Sequence, residues 1–300
     1  MTASRSQGEI AIERMCQLAG ISRSGYYRHW QLSSPRQEET GLRDAIQRLA
    51  LKHRHYGYRR IGALLRREGW QANHKRVLRV MREDNLLCLR QTPFVPMTTN
   101  SHHNWCVVPN LTHGIVLNDL DQLWVADITY LHLAEEFGYL AVILDAFSRK
   151  VVGWALDAHL RAELAISALM MAITARQPKR GNLIHHSDRG VQYACNEYAE
   201  ILAVHDIQPS MSRVGNPYDN AKAESFMKTL KQEEIHGSSY RKLSQARSAI
   251  GAFIETVYNR RRLHSALAYR SPNEYEATLR RFPGLTSQPE VLICISQNLI

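Results

Sequence analysis

Three stretches decide the fold: QLWVADITYLHL (residues 122–133), YLAVILDAFS (139–148) and KVVGWAL (150–156). Each is short and rich in aliphatic, aromatic and β-branched residues, which reads as a strand. The second is apolar along most of its length, as expected of a buried strand. The connections between them are too short for crossovers, so the three are predicted to form an antiparallel meander. Downstream, 160–176 carries apolar residues at helical spacing, and NLIHHSD (182–188) reads as a further strand. A helix at 196–205, a short strand IQPSMS (207–212) and NPYDNAKAESFMKTLKQEEI (216–235) follow; the last opens with turn residues and becomes a helix. Strands and helices in this order predict an α/β domain over 119–236, a mixed sheet with helices packed on it.

Outward from this core the character changes. Residues 41–88 read as three helices, the second ended by Gly69 and the third capped by Asn73. A short helix, a tight turn and a basic helix form a helix-turn-helix pattern, whose last helix suits the major groove of DNA. Arg59 and Arg60 on the second helix, with Lys75, Arg76 and Arg79 on the third, are the candidate DNA contacts; a solvated basic face is the plainer alternative. Residues 1–35 read as a smaller helix-turn-helix-like segment and 89–118, with Pro93, Pro96 and TTNSHHN (98–104), as a linker. Residues 237–300 read as a basic helical segment and tail, in which Arg260, Arg261 and Arg262 suggest phosphate contact or a solvated turn.

Charge follows the same division. The net charge is +10, but residues 1–100 hold 18 Lys and Arg against 8 Asp and Glu, whereas 101–240 hold 11 against 16. Basic ends suit a polyanion such as nucleic acid, and an acidic middle suits a site that gathers carboxylates. With 44% hydrophobic residues the chain can bury a core, which excludes a wholly disordered protein. No apolar run is long enough for a membrane helix, and the first twenty residues show no secretory signal. Five cysteines with no C-x-x-C pair argue against a disulfide framework and a zinc finger, and a cytoplasmic setting is expected.

Within the mixed-sheet domain three carboxylates stand out. Asp127 lies inside an otherwise apolar strand, where an aspartate costs stability unless paired or metal-bound. Asp188 ends the LIHHS strand, where open sheets place ligand groups. Glu224 lies early in the long helix and shares a face with Lys228 and Lys231, while Ala223, Phe226, Met227 and Leu230 turn another face to the sheet. Converging carboxylates repel by about 4 kcal/mol per pair at ~4 Å and an effective dielectric near 20. A divalent cation removes that cost, and hard oxygen ligands select Mg²⁺ or Mn²⁺. Asp145 and Asp219 are rivals for the first and third positions, although Asp145 could instead pair with Arg149, and Asp219 with Asn220 reads as a helix cap. His185 and His186 read as a strand-end pair orienting neighbours, Cys195 as structural, and Gln192 and Tyr193 as candidates to line the site.

Thirty-five residues separate Asp188 from Glu224, and Lys231 follows the glutamate by seven. With WVADITYL (124–131), DAFSRKVVGW (145–154), HHSDRGVQY (185–193), NPYDNAKAESF (216–226), YNRRRLHSAL (258–267) and HYGYRRI (55–61), this spacing resembles the second-frame transposase of a two-frame bacterial insertion-sequence family, within the DDE transposase and retroviral integrase superfamily. The resemblance implies an RNase H-like core in which Asp127, Asp188 and Glu224 bind two Mg²⁺ ions, with Mn²⁺ able to substitute. It also implies cleavage at the element's ends, attack of the freed 3′-hydroxyl on target DNA, and recognition of terminal inverted repeats by the N-terminal helices. A homo-oligomer on DNA, a partnership with the first-frame product and a nucleoid association are further implications, since no sustained heptad of the kind expected in that product occurs here. The alternative is a catalytically silent DNA-binding regulator, against which the intact acidic positions argue. A retroviral-type zinc unit would need a cysteine pair that the sequence lacks.

Overall fold

The computed structural model describes residues 12–18, 20, 22–24, 37–88, 108–134, 137–213, 220–236 and 238–281. Most of the expected first helical pair, most of the linker, Asp219 and the tail beyond 281 lie outside the described residues. The chain divides into two compact units, Met1–Cys88 and Leu89–Ile300.

The first unit holds helices α1 (Ile12–Leu18), α2 (Gln37–Lys52), α3 (Tyr58–Arg67) and α4 (His74–Glu83). Ile46, Leu49, Ile61, Leu65, Val77, Val80 and Met81 pack α2, α3 and α4 into a small core. After α3, Gly69 adopts a φ of +86°, a left-handed conformation that costs a residue with a Cβ. This lets the Trp70 N–H donate to the Leu65 carbonyl at 2.9 Å and the Gly69 N–H to that of Arg66 at 3.1 Å. The Asn73 side chain accepts from the Lys75 N–H at 2.9 Å and so starts α4. At the far end of α4, Arg43 reaches from α2 to Glu83 at 2.6 Å and to Asp84.

The second unit is built on strands β1 (Leu123–His132), β2 (Phe137–Asp145), β3 (Val151–Asp157), β4 (Ile184–Ser187) and β5 (Gln208–Met211), in the spatial order β3-β2-β1-β4-β5. β1, β2 and β3 are antiparallel, and β1, β4 and β5 are parallel. Its helices are α5 (Ala162–Arg176), α6 (Val191–Ala194), α7 (Asn196–Val204), α8 (Ala221–Leu230), α9 (Leu243–Ala252) and α10 (Pro272–Arg281). Of these, the one-turn α6 and the closing α10 carried no clear sequence signal. Alternation along the strands divides the core in two. Leu123, Val125, Leu140 and Val142 face Phe226, Leu230, Ile250 and Ile254 on one side. Trp124, Ala126, Ala141 and Ile143 face Leu169, Ala172, Tyr198 and Leu202 on the other. This order and these directions are those of an RNase H-like fold.

One glycine is required by close approach. A Cβ on Gly153 of β3 would lie 2.2 Å from the Ala168 carbonyl oxygen of α5. Residues 238–281 are woven into this unit. The Asn259 amide brackets β3, accepting from the Val151 N–H and donating to its carbonyl, both at 3.0 Å. Glu276 of α10 accepts from Ser148 and Arg176, each at 2.8 Å. No helix among the described residues is long and apolar enough to cross a membrane.

Candidate active site

Two of the three acids are carried by neighbouring strands of the sheet or the turn that follows one of them. In the parallel pair of β1 and β4, Val125 stands opposite His186. Two residues further along the chain from these come Asp127, still within β1, and Asp188, just past the end of β4. Asp127 is opposite Val142 on its other flank, inside the sheet. Glu224 arrives from α8, whose Ala223, Phe226, Met227 and Leu230 are buried against the sheet as expected from the sequence, leaving Glu224 and Lys228 exposed.

The Asp127 carboxyl is pushed up from the usual 3.8 to about 7, first by burial, then by the negative charge of Asp188, with Glu224 adding to it. The Ile128 N–H, donating to Asp127 Oδ1 at 2.9 Å, and the Lys231 ammonium oppose the rise. Burial raises the Glu224 carboxyl and lowers the Lys231 ammonium, which the charge of Asp127 pulls back up. Lys231 sits where α8 widens into a π-helical turn, Lys231–Ile235, and its Nζ lies 5.4 Å from the centre of the Tyr130 ring. Asp188 is fixed by the Gly190 N–H, which donates to its Oδ1 at 3.0 Å.

These residues fit a divalent cation by donor chemistry. All three are hard oxygen ligands, and a neighbouring dication would restore the ionised form that the crowding of Asp127 opposes. Among the described residues, however, no three His, Cys, Asp or Glu side chains are drawn together closely enough to make a ready metal-ligand group. Glu224 is the open member of the set, and the chain just before its helix, 214–219, lies outside the described residues.

The rival and flanking residues fall elsewhere. Asp145 is fully buried and accepts from the N–H groups of Asp121 at 2.7 Å, Phe147 at 2.9 Å and Ser148 at 2.7 Å. Its cation is Arg176, at 3.8 Å, rather than the Arg149 expected locally. It therefore caps a turn. His186 bonds Ser210 at 2.9 Å and Ser212 at 3.0 Å, and His185 bonds the Tyr198 hydroxyl at 2.9 Å. Burial, with His186 alongside, lowers the His185 imidazole to about 3, so both histidines brace the strand. Arg262 is not a phosphate contact: it is buried and paired with Glu233, while Arg260 and Arg261 are exposed.

One residue acquires a place that the sequence did not give it. Asn220, expected only as a cap, donates instead from Nδ2 to the Ala126 carbonyl at 2.9 Å, tying the start of α8 to the strand residue before Asp127. Tyr193, a sequence candidate to line the site, is buried, with no hydrogen-bond partner for its hydroxyl among the described residues, in the field of Asp188 and Asp127. In the helical unit, Arg59, Lys75 and Arg79 are exposed and Arg60 and Arg76 half-buried. Arg79 pairs with Glu83 at 3.0 Å, and Arg60 lies 5.3 Å from the centre of the Tyr56 ring.

Comparison with known proteins matches this division of the chain. The integrase core domain family matches residues 119–217, a second integrase core domain family 205–272, and an HTH-like domain 36–94. The insertion element IS600 uncharacterized 31 kDa protein of Shigella sonnei is 40% identical over 263 residues, covering 86% of this chain and 96% of its own. Transposase InsF for insertion sequence IS3A of Escherichia coli (strain K12) is 35% identical over 277 residues, covering 91% and 96%. The catalytic core domain of HTLV-2 integrase, solved in complex with magnesium, covers 52% of this chain at 18% identity, a loose likeness with a TM-score of 0.41. The near-complete overlap with the bacterial relatives establishes that the chain belongs to the family of insertion-sequence transposases that carry an integrase core domain.

Proposed function

We propose that the protein cleaves the ends of an insertion sequence and joins the freed 3′-hydroxyl to target DNA, with Asp127, Asp188 and Glu224 as its catalytic, metal-holding residues. The observation that carries this reading is an aspartate inside an otherwise apolar strand, Asp127 of β1, beside the strand that leads to Asp188, in a chain whose residues 119–217 match an integrase core domain; burial and the charges of Asp188 and Glu224 oppose its ionisation. A strand interior that keeps an aspartate under such repulsion has a use for a dication. Two Mg²⁺ ions held there, or Mn²⁺ in their place, would activate the attacking oxygen and stabilise the leaving one.

The chain's own groups do the rest. The parallel pairing of β1 with β4 would hold Asp127 and Asp188 near one another. Asn220 ties α8 to β1, which would bring Glu224 toward the same edge. Lys228 and Lys231 supply the positive charge that a DNA phosphate needs beside three carboxylates. In the helical unit, Arg59, Arg60, Lys75, Arg76 and Arg79 are assigned to DNA contact, at the terminal inverted repeats. A homo-oligomer on the DNA, assistance by the first-frame product and a cytoplasmic, nucleoid-associated location complete the reading.

The test uses a labelled duplex of the element's own terminus and a target plasmid, with Mg²⁺ or EDTA, and with or without the first-frame product. Nicks bearing 3′-hydroxyls and end-to-plasmid joined products are expected with Mg²⁺ and not with EDTA. Cleavage that persists unchanged in EDTA would remove the metal-dependent mechanism.

A further inference from the structure

The outer end of the β1–β2 hairpin carries four rings on one sheet face. Tyr130 stands opposite Tyr139, and His132 opposite Phe137. Alternate residues of a strand share a face, so all four project together. The His132 and Phe137 ring centres are 4.5 Å apart, and Tyr130 lies 5.8 Å from the first and 6.3 Å from the second. The same four residues line an open cavity of about 410 Å³. Phe137 is 49% exposed and His132 is exposed as well, so among the described residues the tile is left uncovered.

The tile lies across the strand from the acidic site. Tyr130 is three residues along β1 from Asp127, ~10 Å at strand rise, and alternation turns the two to opposite faces, so the tile is reached around the edge of β1 that β4 leaves unpaired beyond Val125. Lys231 links the two, with its Nζ 5.4 Å from the centre of the Tyr130 ring and its charge felt at Asp127. A cation at the border between carboxylates and rings offers a phosphate contact beside an aromatic surface. That pairing suits nucleic acid better than a purely apolar partner would.

We propose that Tyr130, His132, Phe137 and Tyr139 form a stacking platform for an unpaired base of the DNA strand held at the acidic site. This rests on the function proposed above and names a binding site for it. The occupant is an unpaired base because a base inside a duplex has both faces covered by its neighbours. Every base has a π-face, so the platform takes any sequence. The span from Asp127 is covered by about three nucleotides at the duplex rise of ~3.4 Å, and by fewer when the strand is stretched.

The test is equilibrium binding of the full chain to a single-stranded oligonucleotide carrying one 2-aminopurine, followed by its fluorescence across a salt series. Phe137→Ala should weaken binding about fivefold or more while leaving the salt slope unchanged, because a stacking contact is lost and no phosphate contact is. Phe137→Trp should restore it. Since Phe137 is half exposed, both variants should melt like the wild type. Phe137→Ala binding as tightly as wild type would overturn the proposal. So would unchanged single-strand binding with loss of self-association in sedimentation, which would make the tile a contact between copies. Binding does not need cleavage, so the two readings separate. Normal stacking without Mg²⁺-dependent cleavage sinks only the enzymatic reading, and normal cleavage without stacking sinks only the platform.

Discussion

At the scale of single residues, Asp127 carries the account, and its protonation makes a testable statement about stability. Below its ordinary value of 3.8 the carboxyl is neutral in both the folded and the unfolded chain. Between there and about 7 the unfolded chain gives up the proton and the folded one keeps it. Stability should therefore fall as pH rises through that window and level off above it. Thermal unfolding in EDTA should show the decline in the wild type and a flatter profile in Asp127→Asn. Mg²⁺ should raise the midpoint of the wild type above pH 7 and do little for the variant; equal Mg²⁺ stabilisation of both would detach Asp127 from any ion. The sequence exposed this residue because an acid within LWVADITYL is a local contradiction. It did not expose the tie made by Asn220, which depends on what the fold sets beside it. Asp145 looked equivalent to Asp127 in its strand, and only the three N–H groups and Arg176 around it show that it serves a turn.

At the scale of elements, the strands were legible because apolar runs, alternation and short connections all pointed the same way. The strand pairing was not legible, and it is the parallel pairing of β1 with β4 that makes neighbours of the strand holding Asp127 and the strand that leads to Asp188. Helix ends were read from Gly69 and Asn73, which act through local backbone geometry. The π-helical turn at Lys231 has no such local sign. The contact of β3 with α5 depends on Gly153, and Gly153→Ala should cost about 3 kcal/mol by overpacking. Chemical denaturation checks this, and a loss below about 1 kcal/mol would mean that the helix shifts freely. On α4, Arg76→Ala with Arg79→Ala should weaken binding to terminal DNA and flatten its salt dependence, since fewer counterions are released. An unchanged slope in a salt titration would remove α4 from DNA recognition.

At the scale of the whole molecule, two compact units match the change from a basic to an acidic stretch of sequence. How closely the C-terminal residues belong to the second unit was hidden. Arg176 ties α5 to Asp121 and to Glu276, each at 2.8 Å, and Lys150 joins Glu276 at 3.4 Å. These partners are 55 and 100 residues from Arg176, too far apart for any local pattern to show. Removing one member of a buried charge cluster leaves the others uncompensated, so Arg176→Ala should destabilise this unit by about 3–5 kcal/mol. Denaturant unfolding monitored by tryptophan fluorescence tests that figure, and a loss near zero would show the cluster to be dispensable. The most direct test of the central claim is Mg²⁺-dependent nicking of the terminal duplex by Asp127→Asn, Asp188→Asn and Glu224→Gln, with end binding measured in parallel. Each should bind the end like the wild type and cleave at least a hundredfold more slowly, about 2.7 kcal/mol in barrier. Near-normal cleavage by any one of the three would contradict a shared metal cradle.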